Sequence, residues 1–296
     1  MDPSSRTGQS AIDEANAAFW DELCGTTLAK ALGITDHSEA SLKRFDDAYF
    51  TMYPYLLSHV PVDRMRGMKV LEVGLGYGTL GQAIANAGAE YTGVDISPGP
   101  VRMMNHRLGM HRLTGRAIEA SILESGLPSE SQDWVVAIGC YHHTGNMQRA
   151  VDESFRILKP GGNAMIMVYN SLSLRQWQQW PKDTLRRWLH QYEPGFRAAA
   201  SESQRNAYDS HVNGQTAPET EFFSRRSVRQ IFGRFSKVSV RSENADEVFI
   251  PIPRYDKVGK RFWLDRTANP YQVPRPVLLA TIGRTLGLDL YIAATK

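Results

Sequence analysis

Between Met68 and Asn170 short apolar runs alternate with helix-spaced patterns, and this alternation limits the chain more than any other feature. "MKVLEVG" (68–74) leads to a helical pattern near 79–87, and "AEYTGVD" (89–95) leads to another near 99–109. "RAIEA" (116–120) is a weaker strand and "DWVVAIG" (133–139) a strong one, with "MQRAVDESFRIL" (147–158) an amphipathic helix behind it. "NAMIMVYN" (163–170) is almost continuously apolar, as a strand covered on both faces must be. Such a rhythm predicts an α/β chain built on an open, mainly parallel, doubly wound sheet.

The flanks differ. No strand signal precedes Met68. Ile12, Ala15, Phe19 and Leu23 recur at helical spacing, as do Leu42, Phe45, Tyr49, Met52 and Leu56. Pro54 interrupts the second set and Pro61 ends it. After Asn170, residues 171–232 hold helical patterns and polar loops. Two more strands are expected, "KVSVRSE" (237–243) and "DLYIAAT" (289–295), separated by about 45 residues rich in Pro and aromatics. The expected organisation is an N-terminal helical cap or lid over 1–66 and a Rossmann-like cofactor-binding core over 67–170. Residues 171–296 then supply a helical insertion and the last two strands of the same domain.

Composition narrows the function classes. A net charge of +3 over 296 residues is too small to indicate a nucleic-acid partner. Two cysteines, Cys24 and Cys140, exclude a disulfide framework and fit a reducing cytoplasm. The first ten residues, "MDPSSRTGQS", carry no apolar core of a secretory signal. The apolar stretch 277–295 is broken by Arg284 and Asp289, so no transmembrane segment is expected.

The first strand runs into "VLEVGLGYGTLG" (70–81). Glycines there let the backbone turn tightly from strand to helix and lie against a ligand that the helix amides face. Asp95 ends the second strand, 21 residues after Gly74, where a carboxylate can accept both hydroxyls of a ribose. A dinucleotide fingerprint is G-x-G-x-x-G. Here the pattern is E-x-G-x-G-x-G, made by Glu72, Gly74, Gly76 and Gly78, and Thr79 stands where a third small residue belongs. Glu72 is a poor neighbour for a pyrophosphate but suits a cofactor bearing an ammonium and a sulfonium. The choice turns toward S-adenosylmethionine, with an NAD(P)-dependent oxidoreductase and a non-catalytic cofactor-binding module as the alternatives.

Four blocks, "VLEVGLGYGT", "YTGVDIS", "LPSESQDWVVAIGCYHHTGN" and "FRILKPGGNAMIMVYN", resemble the class I S-adenosylmethionine-dependent methyltransferases, within their broad small-molecule group. The resemblance covers roughly residues 66–170 and resumes at the final strands. It implies a seven-stranded sheet of order 3-2-1-4-5-7-6 with the seventh strand antiparallel. It implies that the glycine loop meets the methionine part of the cofactor and Asp95 the ribose. Ser121 or Ile122 is then expected beside the adenine, and Pro160, Gly161 and Gly162 at the turn entering strand five. The expected cofactor-binding residues are Glu72, Gly74, Gly76, Gly78, Asp95, Ile96, Ser121, Ile122 and Cys140, and the product S-adenosylhomocysteine.

Methyl transfer is an in-line displacement at an activated carbon, where alignment alone supplies roughly 7–11 kcal/mol of the barrier. A base is needed only for a protonated, weakly acidic acceptor. "CYHHTGN" (140–146) occupies the carboxyl end of strand four, where the crevice of such a sheet opens. Histidine is the residue type suited to that base near neutral pH, which makes His142 and His143 the candidates, and Tyr141 can orient the acceptor or wall the methyl pocket. The competing reading has His143 holding the loop through backbone hydrogen bonds. Asn146 is expected to cap the following helix. The loop lacks the Asn- or Asp-Pro-Pro-aromatic motif of enzymes that methylate exocyclic amines of nucleic-acid bases. Adjacent histidines with no further ligand at a recognisable spacing lead to the expectation of no metal.

The late insertions carry the acceptor question. Residues 171–192 mix Trp177, Trp180 and Trp188 with Arg175, Lys182, Arg186 and Arg187, and Leu185, Trp188, Leu189 and Tyr192 share one helical face. Either that face packs on the core, or it forms an aromatic–basic surface for an anionic or amphiphilic small-molecule acceptor or a membrane face. Arg254, Tyr255 and Lys257 are acceptor-contact candidates in the second insertion, and Phe19, Trp20, Tyr49 and Tyr53 are lid candidates. Oligomeric state is not legible.

Overall fold

The computed structural model describes residues 3–22, 26–193, 196–211, 214–245, 254–255, 261–262 and 275–296. Its strands are β1 (Lys69–Val73), β2 (Glu90–Asp95), β3 (Gly115–Glu119), β4 (Gln132–Ile138), β5 (Leu158–Tyr169), β6 (Lys237–Glu243) and β7 (Asp289–Thr295). They form one sheet in the order β3-β2-β1-β4-β5-β7-β6. β1 to β5 pair in parallel, while β7 runs antiparallel to both β5 and β6. This is the sheet expected above.

Helices α1 (Pro3–Trp20), α2 (Thr26–Ala31), α3 (Glu39–Met52) and α4 (Leu56–His59) precede the sheet. α5 (Thr79–Asn86), α6 (Pro98–Met110) and α7 (Met147–Ile157) are its crossovers. α8 (Leu174–Gln179), α9 (Pro181–His190), α10 (Glu202–Tyr208) and α11 (Arg225–Ile231) fill the stretch before β6. α12 (Arg275–Ala280) and α13 (Ile282–Leu286) lead into β7. Arg254–Tyr255 and Arg261–Phe262 pair as a short ribbon. Lys257 and the side chains of Arg254 and Tyr255 lie outside the described residues, as do Leu23 and Cys24.

Alternation along β5 shows how the layers form. Ala164, Ile166 and Val168 join the core under α7 and α11, with Val151, Ile157 and Phe232. Met165 points the other way, into the core under α4, α5 and α6 with Leu56, Ile84 and Met104. Both faces are covered, so the run is apolar throughout. β5 also starts earlier than expected. Leu158 already pairs with Gln132, the register then shifts, and Asn163 pairs with Trp134. Pro160, Gly161 and Gly162 therefore form an irregularity inside the strand, not a turn before it.

Asn146 caps α7, its side chain accepting from the Arg149 amide at 3.1 Å. α9 departs from amphipathic expectation. Leu185, Trp188, Leu189 and Tyr192 are exposed, while Thr184 and Arg187 are buried. Arg187 donates to Gln176 Oε1 at 3.0 Å, Gln204 Oε1 at 2.7 Å and the Ala199 carbonyl at 3.1 Å. The polar groups of α8 and α10 take the inner side of the helix and leave its apolar face outward. Among the described residues no helix is long and apolar enough to cross a membrane.

Candidate active site

A cavity of about 690 Å³ opens at the carboxyl ends of β1, β2 and β4. That position is where open α/β sheets bind ligands, and the size is that of a cofactor or small-molecule site. Its wall combines the glycine loop, Asp95, the segment after β3, the segment after β4, and side chains of α1 and α3.

The loop leaves β1 with Gly74, Gly76 and Gly78 all in the left-handed region, at φ of 78°, 50° and 77°. Only glycine holds such angles without strain. At Gly74 a Cβ would also lie 2.6 Å from Cys140 Cβ, so β1 and β4 approach closely there. Gly74, Gly76 and Cys140 line the cavity. Gly78 does not. It stands at the start of α5, where a Cβ would fall 2.8 Å from Arg107 Cδ. Its left-handed φ and its packing against α6 both require glycine there.

Two buried carboxylates define the loop's chemistry. Asp95 accepts the Leu75 amide at 2.8 Å on Oδ2 and the Ser97 amide at 2.9 Å on Oδ1, which leaves lone pairs for a diol. Burial pushes its carboxyl up to about 6, against the pull of those amides. Glu72 accepts the Tyr91 hydroxyl at 2.5 Å, and burial pushes it up to about 8. Both line the cavity, as do Ile96, Ser121 and Ile122.

The three catalytic candidates separate. Tyr141 is fully buried in the core beside α7, its hydroxyl 2.6 Å from Ser154 Oγ, and does not line the cavity. Its place as an acceptor-orienting wall is corrected: the turn after β4 points this ring inward. His142 is also fully buried and off the cavity wall, its ring 4.0 Å from that of Tyr169. Burial, with a smaller contribution from His143, holds its imidazole well below the usual histidine range. Buried and off the cavity wall, this ring does not face an acceptor. His143 alone lines the cavity. Its Nδ1 donates to the Glu219 carbonyl at 2.7 Å, so the backbone-anchoring reading is realised. Its Nε2 stands 3.6 Å from Asp209 Oδ2. Burial raises the Asp209 carboxyl, while His143 and the Tyr169 hydroxyl, at 2.8 Å from Oδ1, pull it back.

Asp209 was missed in the sequence, as were Tyr169 and Tyr208, which line the same wall. Asp209 follows α10, far along the chain from His143, and the one local cue is the triplet Asp209-Ser210-His211. His211 lines the cavity too, stacked on Phe19 at 3.9 Å. Phe19, Trp20, Tyr49 and Tyr53 all contribute to the wall.

These residues fit S-adenosylmethionine. Asp95 keeps buried lone pairs that a ribose diol can use, and Ile96, Ser121, Ile122 and Glu72 line the same cavity. The sheet order, with an antiparallel strand between β5 and β6, together with this loop and acid, is that of the class I S-adenosylmethionine-dependent methyltransferase fold. It departs from the 3-2-1-4-5-6 order of dinucleotide folds, which counts against the nicotinamide alternative.

Residues 71–166 match the family model described as Methyltransferase domain. Mitochondrial ubiquinone biosynthesis O-methyltransferase of Rattus norvegicus is 28% identical over 121 residues, 40% of this chain and 35% of that protein. Demethylmenaquinone methyltransferase of Tropheryma whipplei is 30% identical over 105 residues, 35% of this chain and 43% of that protein. The chain thus spans less than half the length of these curated relatives. The crystal structure of an S-adenosylmethionine-dependent methyltransferase from Mesorhizobium loti shares the fold, at TM-score 0.50 and 14% identity, over 82% of this chain and 97% of that one.

Proposed function

We propose that the protein transfers the methyl group of S-adenosylmethionine to a small amphiphilic acceptor. The carrying observation is that one cavity joins the Glu72–Asp95 end to an aromatic and polar end made by Trp20, Tyr169, Tyr208, His143 and Asp209. Glu72, Gly74, Gly76, Asp95, Ile96, Ser121, Ile122 and Cys140 hold the cofactor in this reading. Residues 1–66 cover it, 67–170 carry it, and 171–296 shape the acceptor end while completing the sheet.

The relatives that act on demethylmenaquinone or serve ubiquinone biosynthesis support an amphiphilic acceptor. So does the outward apolar face of α9, where Leu189 and Tyr192 are 55% and 58% exposed beside the basic Lys182 and Arg186. Such a face suits transient contact with the interface where an amphiphile resides.

Calorimetric titration with S-adenosylhomocysteine comes first, followed by labelled-methyl transfer to a panel of quinols, phenols and amines with and without apolar tails. Micromolar binding and turnover favouring tailed substrates is the expected result. Binding without turnover on any acceptor would move the protein to the non-catalytic alternative.

A further inference from the structure

We propose that His142, His143 and Asp209 bind a single divalent first-row transition-metal ion at the inner wall of the cavity. One donor atom from each of the three lies within 4.8 Å of the others. The 3.6 Å between His143 Nε2 and Asp209 Oδ2 is too long for a hydrogen bond. It matches two ligands of one ion, since bonds of about 2.0–2.2 Å in tetrahedral geometry put neighbouring donors about 3.3–3.6 Å apart.

The second observation is independent. Both ring nitrogens of His142, His143 Nε2 and Asp209 Oδ2 are buried with no hydrogen-bond partner among the described residues. His142 is 0% exposed and His143 4%. Native interiors leave only a few such atoms unsatisfied, and here four meet in one place. A cation bound by the three residues satisfies three of them together.

The surroundings are those of a ligand set. The Glu219 carbonyl takes the Nδ1 proton of His143 and leaves Nε2 bare. Tyr169 holds one oxygen of Asp209 and leaves the other bare. Outer contacts of this kind fix tautomer and orientation in metal centres. Two imidazoles and a carboxylate suit Zn²⁺, Fe²⁺, Co²⁺ or Mn²⁺, whereas Ca²⁺ and Mg²⁺ seek oxygen-rich shells. The expectation of no metal rested on local spacing, and Asp209 reaches the histidines only through the fold.

Three protein ligands leave a position open. His143, Asp209 and Tyr169 line the cavity, so that position faces the acceptor end. Its role there rests on the methyl-transfer reading. An acceptor hydroxyl on the ion loses its proton to solvent, the oxygen bonds the methyl carbon, and the carbon–sulfur bond breaks to leave S-adenosylhomocysteine. Ion binding itself does not depend on that reading.

The test strips the full-length protein with a chelator and titrates it with Co²⁺, following visible absorption, alongside calorimetry with S-adenosylhomocysteine. One equivalent of Co²⁺ should give ligand-field bands that one equivalent of Zn²⁺ removes. Asp209→Asn and His142→Gln should each weaken Co²⁺ binding by more than about 100-fold while S-adenosylhomocysteine still binds, and Tyr169→Phe by about tenfold. Wild-type protein that takes up no stoichiometric Co²⁺ overturns the proposal, as does uptake that these substitutions leave unchanged. The wild-type titration decides alone if a variant does not fold. Stoichiometric, substitution-sensitive Co²⁺ with no S-adenosylhomocysteine binding upholds the ion site while the methyl-transfer reading fails.

Discussion

Arg107 and Asp46 meet in a two-pronged ion pair, Nη1 to Oδ2 at 2.9 Å and Nη2 to Oδ1 at 3.0 Å, that joins α6 to α3. Arg107 is fully buried, and Thr79 donates its hydroxyl to the same Asp46 at 2.6 Å. Thr79, which occupies the place of a third glycine, thus ties the start of α5 to the N-terminal helices. Asp46→Ala leaves a buried guanidinium without its carboxylate and should lower stability by about 3–5 kcal/mol in urea unfolding. The paired change Asp46→Leu with Arg107→Met should recover most of that loss, because the desolvation of both charges disappears with them.

The raised carboxyls of Asp95 and Glu72 predict a pH dependence whose sign is fixed. Their folded values, about 6 and about 8, exceed those of an unfolded chain, so the folded cofactor-free protein holds protons that the unfolded chain releases. Stability of the cofactor-free protein should therefore fall as pH rises from about 4 to about 8. A ribose and an ammonium favour the ionised acids, so affinity for S-adenosylhomocysteine should rise over the same range. Calorimetry at pH 6 in buffers of different ionisation enthalpy should show proton release on binding, reduced in Asp95→Asn.

Gly74 and Gly109 form a controlled pair. Gly74→Ala puts a side chain at φ 78° and against Cys140, which should cost about 1–3 kcal/mol and abolish cofactor binding. Gly109 lies in α6 with open space around it, and Gly109→Ala should stabilise by about 0.4–1 kcal/mol with binding intact. Thermal melts with and without S-adenosylhomocysteine separate the two effects.

On α9 the usual ranking of apolar over charged substitutions should invert. Arg187→Ala strands Gln176, Gln204 and the Ala199 carbonyl and should cost about 2–4 kcal/mol. Leu189→Ser, on the exposed face, should change stability by no more than about 0.5 kcal/mol. Chemical unfolding of both variants checks the order.

The sequence by itself determined where the strands, the glycine turn and the acid after β2 fall, because those features are local. Strand runs, the glycine turn and the acid closing β2 each depend on residues within a few positions of one another, whereas the order of the strands was implied only by the family resemblance. "KVSVRSE" and "DLYIAAT" stand as β6 and β7 at the bounds read from their patterns alone. Tertiary structure decided the rest. Tyr141, His142 and His143 are consecutive, and only packing decides which of them meets the cavity. α9 turns its apolar stripe outward because Gln176 and Gln204, from other helices, satisfy Arg187 inside. Asp209 joins the two histidines because α10 folds back over the end of β5, a long-range closure that no local periodicity encodes.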